Sequence, residues 1–410
     1  MLDSNTVFRG PLPCAGGEGI PRWRAGFGAA SLVLLLIGSS AVGAETPAST
    51  VLSARGASFR NEVQQSIDRG LSWLQSNQNS NGWWSSPDQP ALTALVVLSF
   101  KGDPRGRYAK NEPESLKRSY NYLLSCVQPD GGIHRSNLVT YNTSLCIMAL
   151  LAANKAEYDP IILKAREFLV VLQGDFGEKG KLDSPFDGGI GYGSHYEHSD
   201  MGNTLQALEA IYYSRHLVRD KPLAGGRDLN WTAALHFLQS CQNLPSHNAE
   251  PWASDDPQNK GGFVYYPGHS MAGSVTNPTT GRVALRSYGS ISYGGMMSYF
   301  YADLKRDDPR VSAVFDWLRK NYTVDENPGM GAEGLYYYYH MMAKALNAYD
   351  VNELELADGR KIDWRKELSQ KLLNLQHKDG SWVNENGRWW QKDPVLVTAF
   401  SLLSLEIASR

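Results

Sequence analysis

Gly70-Leu-Ser-Trp-Leu-Gln75, Asn81-Gly-Trp-Trp84 and Ala91-Leu-Thr-Ala-Leu-Val-Val-Leu98 read in succession as a helix closing on Leu-Gln, a turn built on glycine and an aromatic, and a more apolar helix. The succession recurs, and a repeat of this period means stacked copies of one supersecondary unit. Tyr120-Asn-Tyr-Leu-Leu-Ser-Cys-Val-Gln128 leads through Asp130-Gly-Gly132 to the apolar run 141–150. Phe168-Leu-Val-Val-Leu-Gln173 leads through Asp187-Gly-Gly-Ile-Gly-Tyr192 to 203–211, and Phe237-Leu-Gln-Ser-Cys-Gln242 through Gly261-Gly-Phe-Val-Tyr265 to 291–304. The fifth copy is degenerate, with Phe315-Asp-Trp-Leu318, Pro328-Gly-Met-Gly331 and 335–348. The sixth is clean, with Leu372-Leu-Asn-Leu-Gln376, Asp379-Gly-Ser-Trp382 and 395–407.

Each unit is a helical hairpin with one amphipathic and one apolar helix. Neither buries its apolar surface alone, so six hairpins side by side close a ring with the apolar helices inside. The expected fold is all-α, an (α/α)6 toroid of six hairpins forming one domain over residues 61–410, preceded by a flexible lead-in segment at 45–60 rich in small residues.

The 410 residues carry a net charge near −2, with lysine and arginine dispersed. No basic track exists, and nucleic acid is not an expected partner. Arg22 and Arg24 precede the apolar run 25–37, which closes on Ala41-Val-Gly-Ala44. This pattern reads as a secretory signal peptide over 1–44, giving an exported, periplasmic or secreted protein. An uncleaved membrane anchor is the alternative that the apolar length supports. Loss of the signal removes Cys14 and leaves Cys126, Cys146 and Cys241, an odd number without Cys-x-x-Cys spacing, read as packing residues.

The long connections Gly174–Ser199 and Asn243–Ser287 run from outer to inner helix, whereas return connections such as Asn154–Pro160 are short. The elaborated face also gathers the N-termini of the inner helices, whose free N–H groups and dipoles favour an anionic or oxygen-rich ligand. A functional site belongs there.

Two stretches concentrate chemistry at that face. His195, His198 and Asp200 precede the third inner helix, with Asp200 also readable as its N-cap. The histidines share a glycine-rich loop with no cysteine and no i, i+4 pair, so no metal is expected. Pro328-Gly-Met-Gly-Ala-Glu-Gly-Leu-Tyr-Tyr-Tyr-Tyr-His340 places Glu333 at a helix entrance, with Tyr336 and His340 on one face. Glu333, Tyr336 and His340 are therefore the expected polar lining, and Asp200, Glu333 and His340 the candidate catalytic groups. Tyr288, Tyr293, Trp389 and Trp390 add aromatic surface suited to an isoprenoid chain or a sugar ring. Asp393, opening the last inner helix, joins the candidate ligand-binding residues. Asp255-Asp256 and Asp307-Asp308 each precede proline and read as turn boundaries.

The glutamine-glycine-aromatic turns between helices resemble the repeat shared by squalene and oxidosqualene cyclases and the β subunits of protein prenyltransferases, along nearly the whole chain from residue 45. The resemblance implies an α/α toroid with its pocket at the mouth where the inner helices begin. It also implies two catalytic sets, both incomplete here. Squalene-hopene cyclases carry Asp-x-Asp-Asp-Thr at an inner-helix start; aligned on Thr204, this chain has Asp200, Gly202 in the place of the proton-donating middle acid, and Asn203. Protein prenyltransferases hold zinc with a histidine at the last inner helix, near the place of Leu396 here. The expected function is binding or transformation of an apolar, isoprenoid ligand without a cofactor. A non-catalytic binding or scaffold protein with a glycan or protein partner, and a carbohydrate-active lyase or hydrolase of the same architecture, are the alternatives, since fold does not settle function.

Overall fold

The apolar member of each hairpin is buried all round and the amphipathic member on one face, which sorts the helices into two rings. In the computed structural model, the described residues are 47–410 apart from 194–197, 219–227, 277 and 280. Residues 1–44, read above as a signal peptide, and His195 lie outside them. The outer helices are α1 (Pro47–Ser76), α3 (Glu114–Ser125), α5 (Asp159–Val171), α7 (Trp231–Ser240), α9 (Pro309–Lys320) and α11 (Trp364–Leu375). The inner helices are α2 (Pro90–Gly102), α4 (Val139–Ala153), α6 (Met201–Ser214), α8 (Gly289–Tyr301), α10 (Leu335–Ala348) and α12 (Pro394–Ala408).

Each inner helix packs on the next, and α12 packs on α2, so the inner ring is closed. The all-α toroid expected from the repeat is the fold observed, decorated by two small antiparallel ribbons, Ser274–Thr276 with Val283–Leu285 and Leu354–Glu355 with Lys361–Ile362. One element differs at the start: α1 begins at Pro47, so the stretch expected as a flexible lead-in is helical from there.

At four of the six joints a glutamine ties neighbouring hairpins; Gln128 of the second bonds the Cys126 and His134 carbonyls of its own turn instead, at 3.1 and 2.8 Å. Gln242 Nε2 donates to the Gly261 carbonyl of its own turn at 2.9 Å and to the Arg310 carbonyl at the start of the next outer helix at 2.9 Å. Gln173 does the same with Gly188 and Asn230, at 3.0 and 2.9 Å. In the first hairpin this task falls to Gln78, which reaches Gly82 and Ser115, and not to the exposed Gln75 of the quoted repeat. Gln376 bonds the Gly380 and Ser66 carbonyls, at 2.9 and 3.0 Å, and thereby ties the last hairpin to the first.

Glycine makes the approach possible. Gly261 has φ +93°, and a Cβ there would overlap the Ala313 carbonyl of the next outer helix; Gly380, at φ +98°, would bring a Cβ to 2.6 Å from the Arg69 carbonyl oxygen. Any side chain would add this clash to the left-handed strain. Two residues past the first glycine in the third and fourth turns, the backbone N–H of Ile190 and Phe263 bonds a hydroxyl on the inner helix, Thr204 Oγ1 at 2.8 Å and Ser292 Oγ at 3.0 Å. Trp84 and Trp382 use Thr93 and Thr398 likewise.

The degenerate fifth turn is held differently. Tyr338 and Tyr339 hydroxyls donate to the Thr323 and Val324 carbonyls at 2.7 and 2.6 Å, fastening this turn to its own inner helix where no glutamine is present. Cys126, Cys146 and Cys241 are buried and unpaired, and burial raises the thiol pKa of Cys146 and Cys241, which suits the packing role expected for them.

Two outcomes follow from this packing. Gln242→Ala leaves buried carbonyls unpaired and should lower unfolding free energy by about 1–3 kcal/mol, measured by urea denaturation, whereas Gln75→Ala should be neutral. Glu406 on α12 is buried with neither carboxylate oxygen hydrogen-bonded among the described residues. Burial pushes its pKa well above the ordinary 4.5, opposed in part by Arg410. An acid with a raised folded pKa contributes stability that is fully present below its unfolded value and lost as pH rises through the folded one. Glu406→Gln should therefore flatten the fall in melting temperature above pH 5, and an unchanged slope would show that this carboxyl does not titrate with folding.

Candidate functional site

The inner helices all start at one end of the ring, and there they enclose a cavity of about 350 Å³. Each contributes from its first turns: Leu92 of α2, Tyr141 of α4, Asn203 of α6, Ile291 of α8, Tyr337 of α10, and Leu396 and Phe400 of α12. Connecting loops add Tyr192, Tyr265, Trp389, Trp390 and Gln391. Among the described residues that line it there is no aspartate, glutamate, histidine, lysine or arginine. A neutral wall dominated by aromatic rings binds by apolar burial and π faces, with hydroxyls and amides left to orient a ligand.

At four of the six helix N-termini around this mouth a first-turn amide already donates to a side chain. Ala91 N donates to Asn142 Oδ1 at 2.9 Å, Ser290 N to Asn327 Oδ1 at 2.9 Å, Val395 N to Asp393 Oδ1 at 2.8 Å and Tyr336 N to Gln391 Oε1 at 3.2 Å. These internal acceptors take up part of the donor capacity that was expected to draw an anionic ligand.

The expected site residues divide between wall and support. Tyr288, Trp389 and Trp390 are on the wall. Trp389 and Trp390 stand at the rim, 43% and 51% exposed, in consecutive left-handed conformations with φ 52° and 65°, a costly backbone for aromatic residues. Glu333 makes an ion pair with Arg388, whose guanidinium lies 4.6 Å over the Trp389 ring. Glu333 thus supports the rim and is not itself on the wall.

Tyr336 is a correction: the cavity takes Tyr337, while Tyr336 packs edge-on against Tyr339 with centroids 5.7 Å apart. Tyr293 faces Tyr338 instead of the cavity. His340 is likewise off the wall. Its ring stacks on the wall residue Phe400 at 5.6 Å, its Nδ1 has no partner among the described residues, and burial together with Lys344 depresses its pKa well below the ordinary value. Asp393 caps α12 and accepts a 2.9 Å bond from Ser85 Oγ, so its carboxylate is spent on structure. His198 lies against Tyr266 at 4.4 Å, off the wall. No group of three metal-ligating side chains occurs among the described residues.

Asp200 occupies an intermediate place. It caps α6, accepting from Asn203 N at 2.9 Å and Asn203 Nδ2 at 2.8 Å. It sits directly behind Gly202, a wall residue whose Cβ, if present, would come 3.2 Å from Asp200 Oδ1. The Tyr265 hydroxyl stands beside Asp200, favouring its charged form, and lies 3.0 Å from the Tyr192 hydroxyl. A pair of hydroxyls is therefore placed between the cavity surface and a buried carboxyl. Desolvation raises the Asp200 pKa, offset in part by the Asn203 bonds, the nearby Tyr265 hydroxyl and His198.

The residues that the sequence reading missed are Tyr141, Tyr192, Tyr265, Tyr337 and Phe400. Tyr192 and Tyr265 share a signal: each stands four residues past the first glycine of its turn, in Gly188-Gly-Ile-Gly-Tyr192 and Gly261-Gly-Phe-Val-Tyr265. Asp200→Ala should cost about 1 kcal/mol of stability through loss of the cap, and Asp200→Asn, which keeps an acceptor for Asn203 N, clearly less; equal losses in chemical denaturation would refute the cap.

No protein-family model matches the sequence, and no curated protein matches it. Among solved structures, a variant of the type II terpene cyclase MstE from Scytonema in complex with geranylgeranyl dihydroxybenzoate is similar at TM-score 0.51 and 13% identity, over 86% of this chain and 99% of that one. A variant of the same cyclase in complex with merosterolic acid A matches to the same degree, and the apo enzyme matches at TM-score 0.50 over 85% of this chain. At this identity the likeness is one of architecture: the chain has the fold of a type II terpene cyclase.

Proposed function

We propose that the cavity binds an isoprenoid chain and that Asp200, acting with Tyr265, exchanges a proton with it. The observation that carries this reading is a cavity walled by aromatic rings, with no charged side chain among its described lining residues, at the mouth of a toroid whose neighbours of the same architecture hold a geranylgeranyl substrate and a terpenoid product. An isoprenoid offers only hydrocarbon and alkene over most of its length, which aromatic walls receive, and a cation developing on it is stabilised by π faces.

Alkene protonation demands a positioned acid that holds its proton until the substrate is in place. The position aligned with the cyclase donor is Gly202, but the missing side chain leaves Asp200 Oδ1 immediately behind the wall. Burial keeps Asp200 protonated to higher pH than an exposed aspartate. Glu333 and His340 take indirect roles, the first holding Arg388 and Trp389 at the rim, the second backing Phe400. Glycosidic chemistry needs two carboxyls flanking the bond, and the described wall offers none.

A thermal-shift series with prenols and prenyl arenes tests the binding. A ligand at a hundred times its dissociation constant should add about 2.7 kcal/mol, and Tyr337→Ala should weaken it about tenfold, near 1.4 kcal/mol. Product analysis tests the proton step: Asp200→Asn should keep the ligand-induced shift and lose turnover. Absence of any shift across the isoprenoid series would overturn the reading.

A further inference from the structure

The segment joining α11 to α12 carries more structure than a connection needs. After the two left-handed tryptophans, Trp389 and Trp390, comes Gln391, which lines the cavity and is only 1% exposed. Asn384 holds this residue at two points. Its backbone N–H donates to the Gln391 carbonyl at 3.0 Å, and its Nδ2 donates to Gln391 Oε1 at 2.9 Å. The same Oε1 accepts from Tyr336 N at 3.2 Å. Two donors on one amide oxygen fix the way the amide faces, because turning it over would set an NH2 group against two other donors.

The nitrogen is then the free end. Gln391 Nε2 makes no hydrogen bond among the described residues. Unlike Asn203 Oδ1, which is sealed and without a partner, it is not closed off. The opening beside this nearly buried side chain is the cavity, so the amide presents its N–H donors there. Consecutive left-handed aromatic residues persist only where their surroundings over-determine them. Here Glu333 acts through Arg388 before the pair, and Asn384 acts on Gln391 after it.

We propose that Gln391 selects the head group of the ligand, its amide N–H binding a neutral oxygen acceptor of the carbonyl or ether kind at the mouth-side end of an apolar chain. This deepens the isoprenoid reading and rests on it for the nature of the chain, whereas the head-group preference applies to any apolar chain. Trp389 and Trp390, half exposed at the rim, place the head at the mouth and leave the aromatic wall to the hydrocarbon. A neutral N–H pairs with a neutral oxygen. A diphosphate calls for cationic donors, and no lysine or arginine is among the described lining residues. A plain hydrocarbon leaves the amide unpaired, and a site built to hydrogen-bond one group discriminates against the analogue lacking it.

The test measures affinities in two chain chemistries with matched heads: farnesylacetone, farnesyl methyl ether, farnesyl diphosphate and the hydrocarbon farnesene, and methyl pentadecyl ketone beside heptadecane. Three forms are compared. Gln391→Glu keeps the oxygen that Asn384 and Tyr336 hold and puts a carboxylate oxygen in place of the donor, and Gln391→Met removes both polar atoms at equal length. The natural protein should bind ketone and ether about tenfold more tightly than the hydrocarbon of the same chain, a ratio that should fall to about one or below in both variants. Each ratio is taken within one form, so a general loss of stability cancels, and the ratio in the natural protein decides if neither variant folds. A ratio near unity in the natural protein, an unchanged ratio in a folded variant, or tighter binding of the diphosphate than of the ether overturns the proposal. Selectivity for ketone over alkane without farnesyl binding would defeat the isoprenoid reading and leave the role of Gln391 standing. Binding of no chain by any form would defeat both.

Discussion

A side-chain amide that bonds two backbone carbonyls at once, one in its own turn and one in the next outer helix, is the interaction on which the ring depends. Gln78, Gln173, Gln242 and Gln376 each do this. The bond sets the angle between consecutive hairpins because glycine at the turn lets the next helix's backbone come into contact. Hydrophobic burial supplies most of the driving force but has no direction. The directional amide, present at four of the six joints with nearly constant geometry, helps to turn a stack of apolar hairpins into a circle of defined radius, and the radius decides that a cavity exists at the centre.

The site inherits its electrostatics from that arrangement. Bringing the inner-helix N-termini together should concentrate positive dipole ends, yet the amide N–H groups at the mouth are matched by Asn142, Asn327, Gln391 and Asp393. What faces the cavity is ring and hydrocarbon. Charge is held one shell away: Asp200 behind a glycine, Glu333 with Arg388 at the rim, His340 behind Phe400. Such a wall is unfavourable to an ion, which would give up its water for no partner.

The fold was legible in the sequence because periodicity and turn chemistry act locally: Leu-Gln, Gly-Gly and an aromatic in fixed order declare a hairpin wherever they occur. The position of the cavity was legible for the same reason, since long turns lie on the side where inner helices start. The identity of the wall was not, because helical phase decides it. Tyr336 and Tyr337 are adjacent, and a rotation of about 100° separates a residue on the wall from one packed against Tyr339. The tyrosine run carries two tasks, since Tyr338 and Tyr339 serve the turn that lacks a glutamine, and no local pattern reveals that substitution. Asp200 read equally as cap and as acid; it is a cap by geometry, and the missing side chain at Gly202 keeps it beside the cavity.

Closure through Gln376 and Ser66 has a consequence for how such a molecule can change over time. An open solenoid grows or shrinks by a unit at either end, each step leaving the remaining joints as they were. A circle has no ends, so gaining or losing one hairpin would demand a new angle at every joint together. The count of six is therefore held by geometry as a whole number, and diversification is confined to what the turns carry and to the residues that fill the centre.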